Sequence, residues 1–217
     1  MTIESIVAEA VGQIESSHAA RERALTASRS LVRQCANAIR AVHRGEFEQA
    51  HGLLREATTT AQGLRAGLSD HPDLLYAGYA QDALKEYAEA RLVYAFLHGD
   101  PAPGHADIQV DPAAYLNGLA EAASELRRAI LDGLRHGEVA RGEALLEIMD
   151  DVYAMLVTVD YPDAITGGLR RTTDALRAVL ERTRGDMTAA LRQEQLTAAL
   201  AALEAKLGRP ASESGGG

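Results

Sequence analysis

The 217-residue sequence has little of several residue types, and each shortage excludes a class of protein. Its one cysteine, Cys35, excludes an intramolecular disulfide framework and a multi-cysteine zinc site. With no tryptophan and two phenylalanines, it has no row of stacking aromatics for binding single strands. No apolar run approaches the roughly 20 residues of a membrane span, and residues 1–22 lack the regions of a secretory signal. We therefore expect a soluble, cytoplasmic protein with no membrane partner.

The charge balance is acidic, with 31 Asp and Glu against 22 Lys and Arg and a net charge of −9. This balance argues against a protein whose whole surface binds nucleic acid, although a local basic patch remains compatible with it. Twenty of the 22 basic residues are arginines, and Lys85 and Lys206 are the two lysines. Any nucleic-acid contact would therefore depend on arginine.

Alanine, leucine, glutamate and arginine dominate the chain, and its prolines and glycines stand at intervals that suit helix ends. The pattern predicts an all-α fold, a single bundle of seven helices. The predicted helices cover about 2–43, 46–68, 73–97, 112–136, 138–157, 162–184 and 187–207, with a break at Gly185-Asp186 between the last two. We assign 1–208 to one domain and 209–217 to a flexible Gly/Ser-rich tail.

Three carboxylates interrupt an apolar stripe on the third predicted helix. At 100° per residue, Asp82, Glu86 and Glu89 fall within about 60° of one another, in line with Leu75 and Val93. Burying carboxylates without partners costs several kcal/mol each, and a cation or a raised pKa is the usual resolution. The pattern leaves two interpretations open: an inward-facing salt bridge to an arginine of another helix, or a metal or catalytic site.

A second acidic pair, Glu121 and Glu125, lies one turn apart on the fourth predicted helix, opposite Leu119 and Leu126. Taken alone, this pair is typical of a solvated face. If the third helix faced it, four carboxylates would share one cavity, and oxygen ligands suit Mg²⁺ or Mn²⁺. The chain lacks the paired Glu-x-x-His of ferritin-like di-iron sites.

The remaining acidic and histidine residues indicate no site. Glu143, Glu147, Asp150 and Asp151 lie opposite the apolar side of the fifth predicted helix, which predicts a solvated acidic face. The seven histidines form no pair with metal-ligand spacing, and we expect each to be a surface or capping residue.

An arginine stripe lies on the first predicted helix, where Arg29, Arg33, Arg40 and Arg44 fall within about 60° of one another, with His43 beside them. Such a stripe suits contacts with a phosphate backbone. The alternative is an arginine edge that pairs with acidic residues of another helix or subunit.

Four ordered stretches resemble the translin family, and within it the catalytic branch typified by translin-associated factor X and its prokaryotic homologues. They are Ser28-Arg29 with Val42-His43-Arg44, Leu84-Lys85-Glu86-Tyr87-Ala88-Glu89-Ala90, Tyr115-Leu116-Asn117-Gly118-Leu119-Ala120-Glu121 followed by Glu125-Leu126, and Gly137-Glu138 with Val152-Tyr153. Their order and spacing hold from about residue 3 to residue 185.

The resemblance implies an Mg²⁺-dependent endoribonuclease that cuts single-stranded RNA or RNA ends inside a closed octamer of seven-helix subunits. Glu86 and Glu89 match the family's Glu-Tyr-x-Glu carboxylates, and Glu121 and Glu125 match its other two acidic site residues. The four would bind Mg²⁺ or Mn²⁺ and catalyse cleavage. The chain departs from the pattern at Glu121, where aspartate is expected. Arg29, Arg33, Arg40 and Arg44 would guide the RNA backbone.

Two other functions remain open on the sequence. One is a non-catalytic translin-like shell that holds RNA or single-stranded DNA without cleaving it. The other is an all-α nucleotide pyrophosphohydrolase, although Glu86-x-x-Glu89 and Glu121-x-x-x-Glu125 do not fit the Glu-Glu-x-x-Glu and Glu-x-x-Asp pattern of those enzymes.

Overall fold

The computed structural model describes residues 2–207, and every regular element in that range is an α-helix. The elements are α1 (Ile3–His43), α2 (Phe47–Gly67), α3 (Pro72–Leu75), α4 (Gly78–His98), α5 (Pro112–Leu134), α6 (Val139–Leu156), α7 (Asp163–Thr166) and α8 (Leu169–Leu207). The predicted all-α class is confirmed. Six long helices form the bundle, and the two four-residue helices precede α4 and α8.

The helices differ from the seven-helix prediction at three places. The sixth predicted helix, 162–184, is divided at Gly167 and Gly168, whose positive φ values of 61° and 84° end α7 before α8 begins. The third predicted helix is divided at Tyr76 and Ala77, because Ala77 adopts an extended conformation with ψ 144°. The side chain of Gln81 donates to the carbonyl of Leu75 at 2.9 Å, which satisfies an acceptor left by the interruption. The bend separates α3 from α4.

The predicted break at Gly185-Asp186 is wrong, because α8 continues through it. One glycine in a helix interior costs about 1 kcal/mol, and packing of the flanking turns outweighs that cost. Leu180 and Met187 are buried on either side of the glycine. Arg127 of α5 also forms an ion pair with Asp186 at 2.8 Å, which ties the segment to the bundle.

The loop between α4 and α5 runs back along α2 instead of forming a short turn. Arg65, near the end of α2, donates to the carbonyl of Gln109, and Val110 packs in the same cluster as Leu64 and Leu68. Asp111 then caps α5 by accepting from the backbone N–H of Ala113 at 3.0 Å, as predicted. Consequently α5 begins at the end of the bundle where α4 begins, and the two run in the same direction.

The core consists of two apolar clusters that meet at the contact between α4 and α5. One lies mainly among α1, α2 and α4 and includes Leu31 and Tyr87. The other lies mainly among α5, α6 and α8 and includes Leu126 and Leu176. The contact between α4 and α5 therefore joins the two halves of the bundle.

The predicted tail, 209–217, lies outside the described residues, and the domain limits remain a prediction. In residues 2–207, no helix has both the length and the apolar character needed to cross a membrane.

Candidate metal centre between α4 and α5

A glycine brings the two site helices together. A Cβ atom at Gly118 of α5 would lie 2.7 Å from the carbonyl oxygen of Lys85 and 3.1 Å from the backbone nitrogen of Glu89 on α4. Because glycine has no Cβ, α5 can lie directly against the backbone of α4. Glu121, one turn after Gly118, is thereby placed beside the carboxylates of α4.

Three of the four predicted carboxylates come together at this contact. Glu86, Glu89 and Glu121 each offer an oxygen, and these oxygens all lie within 4.8 Å of one another. Glu89 is 8% exposed, and the other two are half-buried. The solvated-face interpretation of Glu121 is therefore wrong. Asp82, one turn before Glu86, is exposed and stands outside the group.

A lysine lies within the carboxylate group. The Nζ atom of Lys85 donates to Glu121 Oε1 at 2.7 Å and lies 3.5 Å from Glu86 Oε1. Burial opposes the charged form of Lys85, but the hydrogen bond to Glu121 and the adjacent carboxylates outweigh it and raise the pKa of Lys85. The inward salt bridge considered above exists, with a lysine of the same helix in place of an arginine. One ammonium does not neutralise three carboxylates.

Excess negative charge is concentrated at Glu89. Burial raises the pKa of Glu89 to about 8, and the charges of Glu86, Glu121 and Glu125 add to this effect. A carboxyl group in this state keeps its proton at neutral pH unless a cation enters the site. The arrangement can therefore exchange a proton for a cation.

The fourth carboxylate, Glu125, is held apart by a histidine of α1. The Nε2 atom of His43 donates to Glu125 Oε2 at 2.9 Å. This hydrogen bond holds the pKa of Glu125 below its usual range and keeps the carboxylate ionised. The side chain of His43 is 1% exposed, so the expectation that it is a surface or capping residue is wrong.

Helix α1 forms the third wall of the site. Cys35, two turns before His43, is fully buried, and burial together with the charges of Glu86 and Glu89 raises the pKa of its thiol. The thiol therefore stays protonated and unreactive. Cys35 lines the site from the buried face of α1, and His43 lines it from the edge of that face.

The predicted arginine stripe lies on that exposed surface. Arg40 donates to Asn37 and Arg44 pairs with Glu46, whereas Arg29 and Arg33 form no ion pair with any residue from 2 to 207. No arginine of the stripe pairs with an acidic residue of another helix in that range. At 100° per residue, His43 lies about 60° from Arg40 around the helix axis, so the stripe borders the carboxylate site.

The acidic face predicted on α6 is observed. Glu143, Glu147 and Asp151 are exposed, and Asp150 pairs with Arg184 of α8. In residues 2–207, the only group of three or more His, Cys, Asp or Glu residues with metal-ligand spacing is the one at α4 and α5.

Lys85 and His43 are site residues that the sequence interpretation missed. Lys85 lies about 40° from Glu89 around α4, so the helical wheel already placed it among the carboxylates. His43 stands about 80° from the buried Cys35 and about 60° from Arg40, at the edge of the buried face. No comparable signal in the sequence pairs His43 with Glu125, because the two residues are 82 positions apart.

Sequence comparisons find a relative of this chain. No protein-family model matches the chain. Over 169 residues the chain is 30% identical to an uncharacterized protein of Methanocaldococcus jannaschii, in a match that covers 77% of this chain and 74% of that protein.

Solved structures of C3PO are similar to the chain over most of its length. AfC3PO of Archaeoglobus has been solved alone and in a complex with duplex RNA. Both superpose with a TM-score of 0.79, at 32% and 31% identity, and cover 86% of this chain and 97% of theirs. The apo form of NeC3PO superposes with a TM-score of 0.75 at 18% identity, over 88% of this chain and 98% of its own, and shows the same fold.

Proposed function

The chain belongs to the translin family, and from that premise we propose that it is a metal-dependent endoribonuclease that cuts single-stranded RNA or RNA ends inside a closed oligomeric shell. The observation that supports this activity most directly is the group formed by Glu86, Glu89 and Glu121, whose oxygens lie within 4.8 Å of one another. A relative in the same family, AfC3PO, has been solved with duplex RNA.

The donor set fits a hard divalent cation. Glu86, Glu89 and Glu121 would hold Mg²⁺ or Mn²⁺, because carboxylate oxygens are the ligands that these ions prefer. Burial raises the pKa of Glu89, and the neighbouring carboxylates add to the effect, so a bound cation would favour the ionised form of this carboxyl group. When bound, the ion would supply Lewis-acid activation of a water molecule and stabilise the charge that develops on the scissile phosphate.

The residues around this group have separate tasks. Lys85 holds Glu121 by its hydrogen bond and so orients the carboxylate that α5 contributes. Glu125, which His43 keeps ionised, retains one carboxylate oxygen that does not bond to the histidine. We assign that oxygen as the acceptor of the proton from the attacking water.

The arginine stripe would hold the RNA. Arg29 and Arg33 are exposed and lack ion-pair partners among residues 2–207, so their guanidinium groups are available for phosphate oxygens. Binding through the phosphate backbone depends on salt and only weakly on sequence. A net charge of −9 is compatible with this role if the stripe faces an enclosed cavity.

Exposed apolar side chains support self-association. The first turns of α1 expose Ile3, Val7, Val11 and Ile14 at helical spacing, and the last turns of α8 expose Leu196, Leu200 and Leu203. An apolar stripe on a helix that no other part of its chain covers is typical of an interface between subunits. We propose a homo-oligomer, with eight subunits by family resemblance, and molar-mass measurement by light scattering checks it.

A cleavage assay tests the activity. The substrate is a labelled single-stranded RNA of mixed sequence, incubated with Mg²⁺, with Mn²⁺ and with EDTA. Fragments should appear with either metal and disappear in EDTA. A Glu86→Gln/Glu89→Gln variant should lose at least about a hundredfold in rate. The matched control is Glu143→Gln/Glu147→Gln, which removes two exposed carboxylates of α6 and should cleave like the parent protein.

The second candidate function is a shell that holds single-stranded RNA or DNA without turnover, and the Lys85–Glu121 ion pair favours it. In that function Lys85 is the permanent cation of the site. Folded protein that retains intact RNA in both metals, with equal affinity in EDTA, would contradict the nuclease and establish the shell. Release of pyrophosphate from nucleoside triphosphates would contradict both.

A further inference from the structure

The side of α4 opposite the carboxylates carries an arginine whose partners are all uncharged. The Nη1 atom of Arg91 donates to Tyr87 Oη at 3.0 Å and to Thr58 Oγ1 at 3.4 Å. No carboxylate of residues 2–207 lies within 4.0 Å of its guanidinium group, although the chain has 31 acidic residues. A half-buried cation without a counter-charge is unfavourable, so the arrangement points to an anion from outside the chain.

A network of hydroxyl groups fixes the guanidinium group. Thr58 Oγ1 donates its one proton to the carbonyl of Leu54 at 2.8 Å, and it therefore accepts from Tyr87 Oη at 2.9 Å. Tyr87 is fully buried, and its ring centroid lies 5.9 Å from Cζ of Arg91. Because Nη1 makes both contacts, Nε and Nη2 keep three N–H donors without partners in the described chain.

Arg91 lines a cavity of about 390 Å³ between α2, α4 and the loop that follows α4. The volume falls within the roughly 300–1,000 Å³ of small-molecule sites. Besides Arg91, the lining includes Arg55, His51, Tyr94 and Asp100. Asp100 is the one carboxylate among the lining residues, and it pairs with Nδ1 of His98 at 3.0 Å. The remaining charge of the lining is positive.

We propose that this cavity binds the phosphate group of a nucleotide. The fixed guanidinium fork of Arg91 suits two phosphate oxygens, and Arg55 adds a second cation at the exposed rim. The exposed ring of His51 and the ring of Tyr94, one face of which already stacks on His98 with centroids 5.1 Å apart, both line the cavity and offer aromatic surface to the base. The site lies on the other face of α4 from the carboxylates, and the proposal does not depend on the nuclease activity.

Calorimetric titration of the full chain in EDTA tests the proposal without metal-mediated binding. The probes are inorganic phosphate, ribose 5-phosphate and adenosine monophosphate, and we expect affinity to rise in that order. Arg91→Lys keeps the charge but loses the fork, and should weaken nucleotide binding about tenfold; Arg91→Gln should weaken it further. Arg182→Gln, which changes an arginine on α8, should leave binding unchanged.

The source of the phosphate is decided by competition. A short RNA that displaces the monophosphate only when its 5′ end is phosphorylated identifies the end of a strand as the ligand; failure to compete identifies the free nucleotide. If Arg91→Gln does not fold, Arg55→Gln changes an exposed residue and should still weaken binding severalfold. The proposal would be overturned if Arg91→Gln and Arg55→Gln both bound adenosine monophosphate as tightly as the parent protein does. It would also be overturned if the parent protein showed no saturable binding of this nucleotide.

Discussion

Two acidic pairs stand on consecutive long helices of this protein, and their surroundings differ. Glu121 and Glu125 on α5, and Glu143 and Glu147 on α6, are each spaced by one turn and lie opposite apolar residues. The α5 pair lies among the carboxylates of α4, a lysine and a buried histidine. The α6 pair is exposed. The residues on one helix therefore do not decide whether an acidic pair becomes a site.

The two pairs differ in which atoms of the neighbouring helix pack against a glycine on the same helix. Gly118 of α5 accepts the backbone of α4 between Lys85 and Glu89. Gly142 of α6 also accepts a close neighbour, but that neighbour is the side chain of Met187, whose sulfur would lie 3.0 Å from a Cβ at this position. Both glycines allow close packing. Of the two, only Gly118 packs against a segment that carries charged side chains, and Glu121 lies beside Glu86 and Glu89 there.

The pH dependence of the metal-free protein's stability should show the largest difference between the carboxylates at the α4–α5 contact and those on α6. The pKa of Glu89 is raised from 4.5 to about 8, so the folded protein holds a proton that the unfolded chain releases above pH about 4.5. The protonated Glu89 therefore makes its full contribution to the free energy of unfolding below pH about 4.5, and this contribution is lost as the pH rises through 8. Since one pKa unit corresponds to about 1.4 kcal/mol, the loss amounts to several kcal/mol.

Urea unfolding in EDTA between pH 5 and pH 8.5 measures this loss. The difference between the parent protein and Glu89→Gln isolates the one titration, because all other groups are shared. Glu147→Gln should follow the parent curve at every pH. Parallel curves for the parent and Glu89→Gln would show that burial does not perturb this carboxyl group.

Filling the space at Gly118 should break the site by separating its helices. Gly118→Ala places a Cβ within 2.7 Å of a backbone oxygen, and overpacking of this kind costs about 1–3 kcal/mol. The rate of RNA cleavage should fall together with the free energy of unfolding, because Glu121 moves away from Glu89. Urea unfolding and the cleavage assay measure the two effects.

The control for Gly118→Ala is Gly185→Ala in α8. Apart from the adjacent backbone of α8, no atom of residues 2–207 lies within 4 Å of a Cβ at this position. The change should therefore stabilise the protein by about 0.5–1 kcal/mol, as expected for a helix interior. A Gly118→Ala protein as stable as the parent would mean that α4 and α5 can separate without loss.

The sequence predicted most of the fold through local signals. The Asp111-Pro112 start of α5 is confirmed, because a capping carboxylate followed by proline acts within one turn. Gly185 misled the prediction because its local cost is smaller than the packing energy of Leu180 and Met187. Helix ends that depend on local chemistry are predictable, whereas a helix that continues through a weak signal depends on contacts made elsewhere.

The site was predictable where its residues share a helix, and less so across helices. Glu86 and Glu89 interrupt an apolar stripe, and that pattern alone indicated a buried acidic group. The pairing of His43 with Glu125 depends on how α1 packs against α5, and the helical periodicity of the sequence carries no information about that packing. The family resemblance assigned Glu121 and Glu125 to the site. The close approach at Gly118 supplies the physical reason for the position of Glu121.

Replacing His43 tests whether Glu125 needs its partner. His43→Leu leaves Glu125 without a donor, and we expect cleavage to fall about 10- to 100-fold, the usual effect of removing a group that orients a site carboxylate. His43→Gln can place an amide nitrogen near the position of Nε2 and should restore part of the activity. The loss should appear in kcat and not in KM, because the arginine stripe is unchanged.

The matched control for His43 is His136→Leu, which changes an exposed histidine whose one side-chain hydrogen bond within residues 2–207 is to the carbonyl of Asp132. It should cleave like the parent protein. If His43→Gln were as inactive as His43→Leu, the histidine would act through packing alone.

The smallest expected effect concerns the arginine stripe beside the site. Arg29→Gln and Arg33→Gln should each weaken RNA binding equally for all sequences and reduce the log–log salt slope by about 0.7, as for one phosphate contact on a single strand. Arg23→Gln is the control, because Arg23 is exposed on the same helix about 120° from Arg29. If its slope falls by the same amount, RNA binds the whole surface of α1. An unchanged slope for Arg23→Gln confines binding to the side that borders the carboxylates.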